Sequence, residues 1–246
     1  MKQFSIDINA DVGEGVGNEA LLMPLVSSCN IACGGHTGDL ESMAEVVKLA
    51  KVNGVKIGAH PSFPDKMNFG RTVMKLSKDE LFKSLKSQIS SLLSIVNSNG
   101  VKLHHIKPHG ALYNLAAKDE DVSNVIIKVI KSLDCSVQLY APYNSVLAIL
   151  AKQENINVVF EAFADRNYND DLSLVSRLKS GAILHDKKAV LNHVLNIITE
   201  QKIRSISGVD VAIIADTICV HGDTQNALEI LSYLNLNLGK NKIQIL

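Results

Sequence analysis

The stretch FSIDINADVGEGVGNE, residues 4–19, sets the reading of this chain. From Phe4 to Ile8, apolar and polar side chains alternate as they do on a half-buried β-strand, and the run then breaks into a polar, glycine-rich segment. The same pattern recurs downstream. Strand candidates are Cys29 to Ala32, Val55 to Ala59, Leu103 to Ile106, Ser136 to Tyr140, Val158 to Phe163 and the long run Val209 to Val220. Nearly every one runs out into polar residues: Asn9 and Asp11, Asn30 and His36, His60, Lys107 and His109, Asp165 and Arg166, His221 and Asp223.

Helical segments separate most of these strands. Ser77 and Glu80 form a capping-box pattern ahead of Leu81, Leu85, Ile89, Leu92, Leu93 and Val96, which lie on one helical face. Val122, Val125, Ile126, Val129, Ile130 and Leu133 repeat the spacing, as do Val190, Leu191, Val194, Leu195 and Ile198. Asp39 caps a helix that begins at Leu40. Strands alternating with helices predict a parallel sheet. An open doubly wound sheet would gather only the strand ends beside its switch point, whereas a closed β/α barrel brings all of them to one mouth. The expectation is therefore an α/β chain, a single barrel domain over residues 1–246.

Composition narrows the function. The chain has 246 residues, 46% hydrophobic and only 4% aromatic with no Trp, so an aliphatic core carries the fold. Its 25 basic and 25 acidic side chains cancel, which disfavours a nucleic-acid groove or a polybasic membrane foot. No run approaches 18 apolar residues, no leader is evident at the start, and four cysteines are too few for a disulfide scaffold, so the expected compartment is the cytoplasm.

The glycines 13, 15 and 17 are spaced G-x-G-x-G, which lacks the third glycine of a dinucleotide fingerprint, and no Walker loop is present. Asp11 and Glu14 stand just past the first strand, where two carboxylates divide acid and base duties or bind a cation. Cys29, Cys33 and His36 lack the second Cys/His pair of a structural zinc site, so the cysteines read as small buried residues, while His36 joins His60, His105, His109 and His221 as five histidines that each follow an apolar run beside a Gly or Pro turn. His60 opens the rigid AHPSFPD segment, and Lys107 beside His109 suits anion binding and proton transfer. Arg166, next to Asp165, suits a carboxylate or phosphate. Tyr168, Asp171 and Arg177 extend that cluster. Cys219 and His221 share one face of the last strand, with Cys219 read as packing and His221 and Asp223 as site residues.

Taken in order, INADVGEG, SSCNIACGGHTGD, GVKIGAHPSFPD with FGRT, IKPHGALYN, EAFADRNY and ICVHGDT resemble the lactam-utilisation (LamB/YcsF) family over essentially the whole chain. The resemblance implies a seven-stranded β/α barrel of the glycoside hydrolase/deacetylase type. It also implies ATP-dependent opening of 5-oxo-L-proline to L-glutamate, with ADP and phosphate as co-products, alongside two further 5-oxoprolinase subunits, B and C. ATP would be a co-substrate brought with Mg²⁺, and no tightly bound organic cofactor is expected. Asp11, His60, Lys107, His109 and His221 are then the catalytic candidates. Asn9, Glu14, Asn30, His36, Arg71, Asp165, Arg166 and Asp223 are the candidates for binding substrate or phosphate. Leu172, Thr72, Gly35 and Leu40 depart from the family pattern, the first two near the expected mouth.

Two other readings stand beside this one. A metal-dependent carbohydrate deacetylase would use Asp11, His60 and His109 as ligands, the metal lowering the pKa of bound water. A chain built for substrate binding and assembly would be inactive until its partners complete the site.

Overall fold

The computed structural model describes residues 3–224 and 226–246. Its strands are β1 (Phe4–Val12), β2 (Ser28–Ala32), β3 (Lys56–His60), β4 (Leu103–Ile106), β5 (Gln138–Pro142), β6 (Val158–Phe163), β7 (Lys202–Arg204), β8 (Asp210–Ala212), β9 (Thr217–His221) and β10 (Ile243–Ile245). Strands β1 to β6 pair in sequence order, β9 follows β6, and β9 pairs back onto β1, so seven parallel strands close into a barrel. The short β10 joins the first residues of β1 outside that ring.

Two sequence expectations change. The first strand does not stop at Ile8 but continues to Val12, which puts Asn9 and Asp11 on the strand itself and paired with both neighbours, Asp11 lying opposite Asn30 and His221. The run Val209 to Val220 is two strands, not one. Asp210–Ala212 forms an antiparallel hairpin with Lys202–Arg204, and the barrel strand begins only at Thr217. Asp216 makes the break: its carboxylate and its amide bond the Phe160 amide and carbonyl, and its own carbonyl accepts from Asp7. Those bonds tie this residue to the barrel floor.

Helices Leu40–Asn53 and Lys78–Ser98 begin where their caps predicted, at Asp39 and at the reciprocal Ser77/Glu80 pair. Ile6, Ile8 and Ala10 of β1 and Cys29 and Ile31 of β2 point outward into the apolar layer beneath the helices. Among the described residues no helix is long and apolar enough to cross a membrane.

Alternation along a barrel strand sends every second side chain inward. Here the inward set is largely polar. At the floor, Asp7 accepts from Ser28 Oγ at 2.6 Å and Thr217 Oγ1 at 2.7 Å. One layer up, Asn9 donates to Glu161 and Thr217, while Asn30 donates to Asn9 and its Oδ1 accepts from His105 Nε2 at 2.7 Å. His105 stacks on Tyr140 with ring centroids 3.8 Å apart, in space left by Gly58, where a Cβ would stand 2.1 Å from His105 Nε2. These buried polar groups bond one another, as an enclosed polar column must, although Glu161 Oε2 has no hydrogen-bond partner among the described residues.

Candidate active site

The column ends upward at Lys107, just past β4. Its ammonium lies 2.9 Å from Asp11 Oδ1, 3.0 Å from Glu161 Oε1 and 3.0 Å from Cys219 Sγ, almost wholly out of solvent. Burial alone would push the Lys107 pKa down, but the Asp11 and Glu161 charges outweigh it and hold the amine protonated, well above the usual range. The same contact works in reverse on Asp11. Burial would raise its carboxyl, and His60 and Lys107 instead hold it well below the ordinary value, so it stays ionised. Burial keeps the Cys219 thiol protonated, far above its ordinary value. Cys219 thus packs, as its sequence suggested, and also accepts a hydrogen bond from Lys107.

A cavity of about 60 Å³ opens above this ion cluster. Asp11, Glu14, His60, Lys107, His109 and His221 line it, with Arg71, Arg166, Arg177 and Asp223 toward the rim. The other candidates lie behind this wall. Asn9 and Asn30 belong to the column, Asp165 backs His221, and His36 backs His109. Six sequence segments therefore converge on one mouth. A neighbouring chamber of about 410 Å³ shares Tyr113, Asn114, Phe163 and Leu174 with it.

A single carboxylate-bound histidine and a cluster of three histidines flank the cavity. On one side Asp165 is fully buried and faces His221 Nδ1 at 2.9 Å, while Thr224 donates to the same carboxylate at 2.6 Å. Burial would raise the Asp165 pKa, yet His221 and these hydrogen bonds pull it below the ordinary carboxylate value. A carboxylate cannot donate, so Nδ1 of His221 carries the hydrogen and Nε2 is the nitrogen left for the cavity.

On the other side Glu14, His36, His60 and His109 place one ligand-type atom each within 4.8 Å of all the others. His36 and His109 stack with centroids 3.7 Å apart. Burial pushes His36 down to about 4 and His109 well below its ordinary value, so both rings are neutral near pH 7. Burial, with the Asp11 charge nearby, raises Glu14 to about 7. Asp11 stands apart from this set: His60 Nε2 is 3.4 Å from its Oδ2, but its Oδ1 is taken by Lys107 and Asn30.

At the rim Arg71 bonds Asp223 at 2.7 Å, with Arg177 3.7 Å from the same carboxylate. Arg166 is 6% exposed and spends its donors on the carbonyls of Val175 and Ala182, holding the loop that follows β6. Glu161 escaped the sequence reading. A glutamate inside the apolar string VVFEAF was the available signal, because an ionised side chain in a barrel strand has to find a partner.

A family model, the LamB/YcsF family, matches residues 6–246. The chain belongs to the LamB/YcsF family. Among its relatives is the A subunit of the 5-oxoprolinase of Haemophilus influenzae (strain PittEE), 42% identical over 240 residues that cover 98% of each chain. Among solved structures, the lactam utilization protein from Thermus thermophilus superposes with a TM-score of 0.92 at 35% identity, covering 98% of this chain and 99% of that one. A peptidoglycan N-acetylglucosamine deacetylase shares the barrel at a TM-score of 0.50 and 14% identity, over 100% of this chain and 86% of that one, which is a likeness of fold alone. The family assignment and the seven-stranded barrel of deacetylase type agree with what the six motifs implied.

Proposed function

We propose that this chain forms the lactam-opening site of an ATP-dependent 5-oxoprolinase, filling the role of the A subunit beside two partner subunits, B and C, and converting 5-oxo-L-proline to L-glutamate. The relatives that carry this subunit name span nearly the full chain, and the cavity is lined by charged and imidazole side chains that suit a small polar ring substrate. The observation that carries the reading is the pair Asp165–His221. It supplies an oriented imidazole at the edge of a cavity whose floor is charged and buried.

A lactam resists water because amide resonance makes its carbon a weak electrophile and its nitrogen a poor leaving group. ATP, arriving with Mg²⁺, answers the first problem. Attack of the lactam oxygen on the γ-phosphorus releases ADP and leaves an O-phosphorylated, imidate-like carbon. Water then adds to that carbon, the C–N bond breaks with proton delivery to nitrogen, and a second water releases phosphate.

Within this scheme His221 Nε2 moves the proton at the ring nitrogen, with Asp165 stabilising the imidazolium that forms. Lys107 keeps Asp11 ionised, so Asp11 is a weak base and serves as a fixed charge facing the reacting carbon. Arg71 and Arg177 at the rim suit the substrate carboxylate or the transferred phosphate better than Arg166, whose guanidinium is tied to backbone carbonyls.

The test is glutamate release from 5-oxoproline by the chain with and without partner subunits and MgATP. Turnover that requires all three components is the expected result. Glutamate formation without ATP, or none in the complete mixture, overturns the reading.

A further inference from the structure

Two backbone carbonyls decide the chemistry of the histidine cluster. His60 Nδ1 lies 2.7 Å from the Lys107 carbonyl, and His109 Nε2 lies 3.0 Å from the Phe69 carbonyl. A carbonyl oxygen only accepts, so each of these nitrogens carries the ring hydrogen. When both rings are neutral, the opposite nitrogens, His60 Nε2 and His109 Nδ1, present lone pairs to each other, and they are 2.9 Å apart. Glu14 Oε1 adds a third acceptor, 3.9 Å from His60 Nε2 and 3.5 Å from His109 Nδ1. Such a gathering of lone pairs is repulsive unless a proton or a metal ion sits among them.

His36 Nε2 completes the set at 3.0 Å from Glu14 Oε1. Ligand atoms around a tetrahedral Zn²⁺ with bonds of about 2.0–2.1 Å stand roughly 3.3 Å apart. Four of the six separations, from 2.9 to 3.9 Å, straddle that spacing, and all six lie within 4.8 Å. His60 and His109, each with its far nitrogen held by a carbonyl, are oriented as metal-ligating histidines are, whereas His36 Nδ1 has no such partner.

The support for His109 comes at a conformational cost. Phe69, whose carbonyl holds Nε2, has a φ of 55°, a left-handed backbone that a bulky side chain adopts only when its surroundings impose it. Its ring packs edge-on against both His36 and His109. Gly70 follows at a φ of 63°, and a Cβ there would stand 3.0 Å from His109 Cδ2.

We propose that Glu14, His36, His60 and His109 form a binding site for a first-row divalent transition metal of the Zn²⁺ or Co²⁺ type. Glu14, His60 and His109 line the cavity, so the bound metal faces the space where substrate enters. The ligand set differs from Asp11, His60 and His109, because Asp11 is committed to Lys107 and Asn30. Three nitrogens and one oxygen favour Zn²⁺ and its neighbours over Mg²⁺, which prefers oxygen ligands and keeps its waters.

The experiment is Co²⁺ titration of the purified full chain after chelator treatment, read by visible d–d absorption and by metal content, with circular dichroism to verify folding. One Co²⁺ per chain with the absorption of a four- or five-coordinate site is expected, displaced by Zn²⁺ and not by Mg²⁺. Glu14→Gln and His109→Gln should each weaken binding by at least about 10- to 100-fold, while Asp11→Asn stays within a few-fold of the parent. A folded parent chain that takes up no Co²⁺ overturns the proposal, as do folded Gln variants that bind like the parent or an Asp11→Asn variant that loses binding as they do. The readout is metal binding, so it stands or falls apart from the reaction proposed above.

Discussion

Asp165 faces His221 Nδ1 at 2.9 Å from a fully buried position, and this single contact fixes which nitrogen of the ring reaches the cavity. An Asp165→Asn side chain can turn its NH₂ group toward Nδ1 and favour the opposite tautomer. Turnover of the reconstituted complex should fall by about 10²- to 10⁴-fold, the usual contribution of a positioned acid–base group. Steady-state kinetics would reveal it, with the loss in kcat and not in KM. A variant with parental kcat removes His221 from the proton transfer.

The same carboxylate makes a pH prediction. The folded-state pKa of Asp165 is depressed by His221 and Thr224. Its contribution to stability is therefore complete above the ordinary carboxylate pKa near 3.9 and disappears as pH falls through the lower folded value. Urea unfolding followed from pH 6 downward should show the parent losing stability below about pH 4 more steeply than Asp165→Asn. Equal slopes would mean the carboxylate is not held in its ionised form.

Lys107 stands between two buried carboxylates, Asp11 and Glu161. Replacing it with Met leaves both charges facing each other and should cost about 3–5 kcal/mol. Adding Glu161→Gln removes one of the orphaned charges, so the double variant should recover part of that loss. Chemical denaturation of the four members of this cycle measures the coupling. Simple additivity would show that Lys107 and Glu161 do not interact.

Gly58 leaves the space that His105 fills. Gly58→Ala should destabilise the barrel by about 1–3 kcal/mol through overpacking. In a His105→Ala background the same substitution should cost much less, which thermal unfolding would detect. An equal penalty in both backgrounds would place the strain elsewhere.

The barrel and its mouth were legible because they rest on local signals. Alternation marked the strands, capping residues marked two of the helices, and polar residues clustered at strand ends. The hairpin inside Val209 to Val220 was not legible, since the bonds that break the run at Asp216 reach Asp7 and Phe160, far away in sequence. The polar column was only partly visible. Asp7, Asn9 and Asp11 alternate with Ile6, Ile8 and Ala10 in plain view, but which set faces inward depends on closure of the sheet, and Glu161 and His105 find their partners only there. The tie between Glu14 and His36, and the carbonyls that orient His60 and His109, are settled by loop conformation, on which the residue pattern is silent.

One strand, β1, supplies an inward rung at each level of the barrel, with Asp7 at the base, Asn9 midway and Asp11 under the mouth. Removing two residues from it would preserve the alternation of faces and still shift every rung by one storey, setting a carboxylate where an amide must give hydrogens. The helices outside can tolerate changes of length through their loops, but this strand works as a ruler whose markings cannot slide.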